Sequence, residues 1–287
     1  MGRSFSCGCA ATWPKANQSP SWKNENDSAL LILNTYEADH PISPMKSPHS
    51  FRTYLYSLLA ALPAITLTLP ATEEGYHTYT HPGYDTTPLI TREGYHVHQD
   101  DRPLPPRVIP TPGFTGTTTP APADAIVLFD GTDAIGFEAH EWHIEAGTII
   151  ATQGGLHTKE AYGDFQLHLE WRTPDPALAD KTGNIGNSGI YIMGLYEVQI
   201  YDSYSSRVYA DGSAGSVYGQ HPPLVNATHP PHTWQSFDII WHAPIFVDGE
   251  LIKPAYVTVL HNGVVVQNHT ELLGPTGHKT AQAYNPH

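Results

Sequence analysis

The stretch DFQLHLEWRT, residues 164–173, decides the fold class. Its apolar members alternate strictly with polar ones and are Phe165, Leu167, Leu169 and Trp171. A period of two residues sends successive side chains to opposite faces of a β-strand, so this stretch predicts a half-buried strand. Similar short stretches follow, and the pair Asn262-Gly263 is typical of a type I′ hairpin turn. No stretch of the sequence has a convincing helical periodicity, so the sequence predicts an all-β sandwich or jelly roll.

Composition narrows the functional classes. The chain has 287 residues, enough for one large β domain with extensions. The 28 acidic residues outnumber the 14 basic ones, and the net charge of −14 disfavours nucleic acid as a partner. The 18 histidines are scattered without the ligand pattern of a zinc site. Cys7 and Cys9 are the two cysteines of the sequence, so no disulfide framework holds the main domain.

An internal methionine, Met45, precedes a basic segment, an apolar run at 54–69 and the small residue Ala71. This order predicts a secretory signal peptide at 45–71, and the run is too short for a membrane span. The alternative is a membrane anchor. A signal peptide at this position favours a bacterial protein secreted to the periplasm or the cell exterior. It also makes residues 1–44 either upstream sequence from a wrong start codon or a disordered tail.

The remaining chain divides in two. Residues 72–123 are rich in Pro, Gly, Thr, His and Tyr, and they predict an arm followed by an extended linker. Tyr76 and Tyr84 are aromatic residues of this segment that could pack on the domain. From residue 124 onward, alternating strands and turns dominate, so residues 124–287 are predicted to form the β domain.

The outward faces of the predicted strands carry the candidate chemistry. Glu170 and Arg172 share one face, and Glu197 and Gln199 share another. A concave outer face with carboxylates and amides could bind a sugar, whereas the alternative for each pair alone is a solvated sheet surface.

Several motifs, in order, resemble the 3-keto-disaccharide hydrolase-like family. They are LFDGTD (128–133), YGDFQLHLEWR (162–172), GNSGIY (186–191), GLYEVQIYDSY (194–204) and TWQSFDIIWHAP (233–244). The resemblance covers about residues 124–277. It implies a concanavalin A-like jelly-roll sandwich of two antiparallel sheets. It also implies a carbohydrate substrate oxidised to a ketone at C3.

The resemblance implies a general base that removes the acidified C2 proton, followed by loss of the aglycone and addition of water. On the matching motifs, Glu197 or Glu170 is the expected base, and Arg172 is expected to bind substrate or stabilise the enolate. The expected substrate-binding residues are Asn187, Gln199, Tyr218 and His221. A divalent cation such as calcium, held by Glu197 and Asp202, is an alternative source of stabilisation, because hard ions prefer oxygen ligands.

The chain also departs from the family pattern. Family members continue past the GPTGH segment (274–278) into a Gln-Asp-His-Gly motif and a final strand, whereas this sequence ends at His287. The expectation is therefore a domain that lacks its last strands. Two other functions stay open at this point: a non-catalytic secreted carbohydrate-binding module, and an interaction protein of the cell exterior.

Overall fold

Antiparallel strands make up almost all regular structure in the computed structural model. The structure describes residues 8–10, 29–34, 79–110, 121–152, 154–175, 186–204 and 206–286. The strands are β1 Gly8–Ala10, β2 Ala29–Asn34, β3 Tyr79–Thr80, β4 Leu89–Ile90, β5 Tyr95–His96, β6 Ile126–Val127, β7 His143–Glu145, β8 Thr148–Ile150, β9 Gly155–His157, β10 Phe165–Trp171, β11 Ser188–Ile192, β12 Tyr196–Ile200, β13 Ser206–Arg207, β14 Gln235–His242, β15 Ile245–Val247, β16 Glu250–Lys253, β17 Tyr256–His261 and β18 Val264–Glu271. A 3-10 helix spans Ala210–Gly212.

Two antiparallel sheets form a jelly-roll sandwich, which confirms the predicted fold class. The smaller sheet has the order β12-β11-β1-β9. The larger sheet has the order β18-β17-β14-β10-β2-β8-β7, with β6 paired to β2. Three two-stranded ribbons, β13-β3, β15-β16 and β4-β5, lie outside these sheets.

The core lies between the two sheets, as the alternating pattern predicts. On β10 the apolar side chains are buried in the same cluster as those of β12 and β14. The rings of Tyr196 and Trp241 meet across the sandwich with centroids 5.3 Å apart. Each such large side chain contributes about 1.5–3 kcal/mol when it leaves water, so the facing strands hold the sandwich together.

Tight turns fix the register of the hairpins. Asn262 and Gly263 have φ angles of 51° and 77°, which confirms the predicted type I′ turn between β17 and β18. Met193 and Gly194, with φ angles of 54° and 69°, make the equivalent turn between β11 and β12. This second turn matters for function because it sets the residues of β11 directly opposite those of β12.

Within the described residues, the part of the chain before residue 35 supplies two strands that lie inside the sheets. β2 lies between β10 and β8, and β1 lies between β11 and β9. The sequence ALLILN of β2 is a continuous apolar run without alternation, and β1 is only three residues long. Neither stretch alternates between apolar and polar residues, so the sequence pattern does not predict a strand there. Their positions depend instead on the neighbouring strands with which they pair.

Residues 81–110 form an arm on the β domain. The Arg92 guanidinium lies 2.6 Å from the Glu271 carboxylate, and the Val108 N–H donates to the Asn226 carbonyl at 3.0 Å. Tyr76, the segment 45–71 and the linker residues 111–120 lie outside the described residues. Within the part of the chain that is described, no helix has the length and apolar character of a membrane span.

Candidate functional site

Glu197 lies at the centre of a polar cluster on the outward face of the smaller sheet. Its neighbours along β12, Tyr196 and Val198, point into the core, so alternation turns the carboxylate outward. Tyr191 lies directly opposite on β11, and its hydroxyl donates to Glu197 Oε2 at 2.7 Å. The Gln199 amide nitrogen, turned toward the carboxylate, donates to Glu197 Oε1 at 3.1 Å. Two neutral donors thus hold both carboxylate oxygens.

Gly189 makes room for this carboxylate. A Cβ placed on Gly189 would overlap the Glu197 carboxylate and would lie 2.7 Å from its Cδ atom. Any larger residue at this position would therefore displace the acid. Gly189 of the Asn-Ser-Gly sequence at 187–189 therefore contributes to the site because it has no side chain.

Burial shifts the protonation of the cluster. Glu197 is only 5% exposed, and burial raises its pKa to about 7, against the lowering effect of the Tyr191 hydrogen bond. Burial also raises the pKa of Tyr191, with a further rise from the Glu197 charge. At neutral pH, Tyr191 is therefore a phenol, and Glu197 is present in both its protonated and its ionised form.

The segment after the 3-10 helix covers the free edge of β12. The Tyr218 N–H donates to the Glu197 carbonyl at 3.0 Å, and the Gln199 N–H donates to the Ser216 carbonyl at 3.0 Å. The Tyr218 hydroxyl lies 3.0 Å from the Tyr209 hydroxyl and 2.9 Å from His278 Nδ1. The Tyr218 backbone is thus bound to β12 at Glu197, while its hydroxyl belongs to a second aromatic cluster with Tyr209 and His278.

The structure brings together three of the four predicted substrate-binding residues. The Gln199 and Asn187 amides lie 3.2 Å apart, and Tyr218 is attached to β12 as described. His221 belongs to the arm contact instead: its Nδ1 lies 3.2 Å from Glu93 Oε1, and its Nε2 lies 3.0 Å from the Glu271 carbonyl.

Glu170 and Arg172 lie elsewhere. The neighbours of Glu170 on β10, Leu169 and Trp171, point into the core, so Glu170 belongs to the outward face of the larger sheet. The two outward faces are on opposite sides of the sandwich, and Glu170 therefore does not share a site with Glu197. The Arg172 guanidinium lies over the Trp234 ring, 5.1 Å from its centroid.

A divalent cation held by Glu197 and Asp202 stays a prediction. Glu197 is occupied by the two donors above, and Asp202 Oδ1 accepts the Tyr204 N–H at 3.0 Å. Among the described residues, no group of three or more His, Cys, Asp or Glu side chains is arranged to hold a metal ion.

Four residues of this region escape sequence reasoning: Tyr191, Tyr209, His98 and Asp211. Tyr191 could have been predicted from the sequence, because the GIYIMG stretch alternates. Once the position of the turn is known, its outward tyrosine lies opposite Glu197. His98 and Asp211 had none, since their contact joins residues 113 positions apart in the chain.

Comparisons with known proteins assign the chain to a family. A family model described as a 3-keto-alpha-glucoside-1,2-lyase-like domain matches residues 124–286. A crystal structure of a candidate glycosyl hydrolase from Parabacteroides distasonis ATCC 8503 aligns with a TM-score of 0.57 and 37% sequence identity, covering 72% of this chain and 89% of that chain. A comparison with curated proteins finds no match. With more than half of its residues matched by the family model, the chain belongs to the 3-keto-alpha-glucoside-1,2-lyase-like family.

Proposed function

We propose that this glycoside hydrolase-type domain releases the aglycone from 3-keto-glycosides, and that Glu197 is the base that removes the C2 proton. One observation carries the proposal: a buried carboxyl with a pKa of about 7, placed among neutral hydrogen-bond donors. A general base is most effective when its pKa lies near the working pH. Family membership and the 37% identical neighbour support the glycosidic substrate.

The proposed reaction is an elimination followed by the addition of water. Glu197 takes the C2 proton, and the electron pair of the broken C–H bond forms an enolate on the C3 oxygen. Collapse of the enolate breaks the C1–O bond, forms a C1–C2 double bond and releases the aglycone. Water then adds at C1, and a proton returns to C2. Hydrogen-bond donors that are already in place stabilise such a developing oxyanion without reorganisation.

The donors available for the enolate oxygen are neutral. Asn187 supplies an amide that lies 3.2 Å from that of Gln199, and burial keeps the pKa of Tyr218 above its usual range, with a further rise from the Glu197 and Asp211 charges. Glu197 rather than Glu170 is the base in this proposal, because only Glu197 shares a face with these donors.

The test is release of 4-nitrophenol from 4-nitrophenyl 3-keto-α-glucoside by the full chain. We expect Glu197→Gln to lower the rate by about 100-fold or more, the usual range for loss of a general base. Glu250→Gln, a change on the exposed strand β16, is the matched control and should keep full activity. Added chelator should leave the rate unchanged, since no step uses a cation.

The opposite outcomes are also informative. Full activity of Glu197→Gln would remove Glu197 from the mechanism. Sugar binding by the full chain and by Glu197→Gln alike, with no turnover by either, would instead support a carbohydrate-binding module.

A further inference from the structure

A buried histidine–aspartate pair adjoins the proposed site and has no part in the chemistry above. His98, contributed by the arm just after β5, uses both Asp211 oxygens: its N–H donates to Oδ2 at 2.9 Å, and its Nδ1 lies 3.0 Å from Oδ1. Both side chains have 0% exposure. Since a carboxylate oxygen only accepts, Nδ1 carries the proton that it shares with Asp211.

The other ring nitrogen is the unusual feature. His98 Nε2 is buried and has no hydrogen-bond partner among the described residues. Leaving a buried polar atom unpartnered costs about 1–3 kcal/mol, so such an atom usually has a partner outside the protein, such as water or a ligand. His98 also has a φ angle of 57°, in the left-handed region that a non-glycine residue seldom adopts. Two unfavourable features thus fall on one residue.

Aromatic rings connect this pair to the Glu197 cluster. The centroid of the His98 ring lies 4.0 Å from that of Tyr209, 4.7 Å from that of Tyr218 and 5.3 Å from that of His278. Tyr218 is shared, because its backbone N–H donates to the Glu197 carbonyl. Access of a ligand to His98 requires movement of the residues that cover it, among which is the exposed residue His278.

We propose that His98 is the proton donor to the departing aglycone, an assignment that rests on the proposed function. As the C1–O bond breaks, the Nε2 proton passes to the aglycone oxygen, which leaves as an alcohol. The imidazole that remains is neutral and recovers a proton from water. Asp211, which also lies 3.8 Å from the Arg102 guanidinium, fixes the ring tautomer through its contact with Nδ1, as a carboxylate does in other acid–base histidine pairs. Glu197 keeps the separate task of removing the C2 proton.

Leaving-group dependence tests this role. A 4-nitrophenolate ion leaves without a proton, whereas a sugar hydroxyl requires one. We expect His98→Gln to retain 4-nitrophenyl 3-keto-α-glucoside cleavage within about 3-fold of the full chain, and to lose about 100-fold on a 3-keto-disaccharide, in the range for loss of a general acid. Asp211→Asn should show the same selective loss, and it serves as the second variant if His98→Gln does not fold. His143→Gln, an exposed histidine of β7, is the control.

The outcomes separate the two proposals. Equal losses on both substrates, or none on either, would overturn the role of His98 while leaving the function intact. Failure of the unaltered chain to cleave either substrate would overturn the proposed function, and with it the role of His98.

Discussion

Glu197 combines a catalytic requirement with a cost in stability. A carboxyl whose pKa is raised in the folded state binds its proton more tightly there than in the unfolded chain, so folding stability falls as pH rises from about 4.5 to about 7. The rise in pKa corresponds to a loss on the order of 3 kcal/mol above pH 7. Function and stability thus compete at one side chain.

We therefore expect Glu197→Gln to raise the free energy of unfolding more at pH 8 than at pH 5, by up to about 3 kcal/mol. Glutamine keeps an oxygen that can accept from Tyr191, and Gln199 can turn its amide to face the new nitrogen. Urea unfolding of both proteins at the two pH values measures this difference. A stability difference between the two proteins that is the same at pH 5 and pH 8 would show that the Glu197 pKa is not raised.

At the residue scale, the sequence predicts less of the site than of the fold. Glu197, Gln199, Asn187 and Tyr218 come together as the motifs imply, because three of them lie on or beside one hairpin whose register the turn determines. Glu170 carries a similar local pattern yet lies on the opposite side of the sandwich. Alternation along a strand says which residues share a face, but it does not say which sheet that strand joins.

The hairpin β11–β12 is the element that positions the acid. Gly189 on β11 has an ordinary φ angle, so alanine suits its backbone, but a Cβ there meets the flexible carboxylate of Glu197. We expect Gly189→Ala to lower activity by about 100-fold through displacement of the base, with a change in stability below about 1 kcal/mol. Gly163→Ala, where a Cβ meets open space, is the matched control.

Kinetics with the 3-keto-glucoside and a thermal melt of each variant measure this prediction. Full activity of Gly189→Ala would mean that the Glu197 carboxylate does not need its place over β11. A large loss of stability together with activity would mean that the glycine serves the fold rather than the base.

Elements with a clear period or turn signal are predicted well, and the others are not. β10 and the Asn262-Gly263 hairpin follow directly from alternation and turn chemistry. β1 and β2 do not, because a three-residue strand and an unbroken apolar run have no period of two. Their positions depend on the pairing partners offered by β10 and β11, which are distant in the sequence.

For the whole molecule, the interior positions of β1 and β2 have a consequence for export. Cleavage after Ala71, the end of the predicted signal peptide, would remove both strands. β10 pairs with β2 through six residues from Gln166 to Trp171, and these backbone groups would lose their partners. We expect the chain 72–287 to unfold at least about 10 °C below the full chain, since several buried backbone groups would be left unpaired. Equal melting temperatures would show that the two strands are dispensable.

The central claim is that Glu197 removes the proton at C2 of a 3-keto-glycoside. Its most direct test is cleavage of the substrate by the full chain in D2O, followed by NMR of the released sugar, with a sample lacking protein as the reference for spontaneous exchange. The account predicts deuterium at C2 of the product, because water supplies the proton that returns there, and no such incorporation above the reference for Glu197→Gln. Because Glu197 could return the hydrogen that it removed, a product with its original hydrogen at C2 contradicts the account when the full chain also cleaves a substrate carrying deuterium at C2 at an undiminished rate. The two results together would indicate direct displacement at C1.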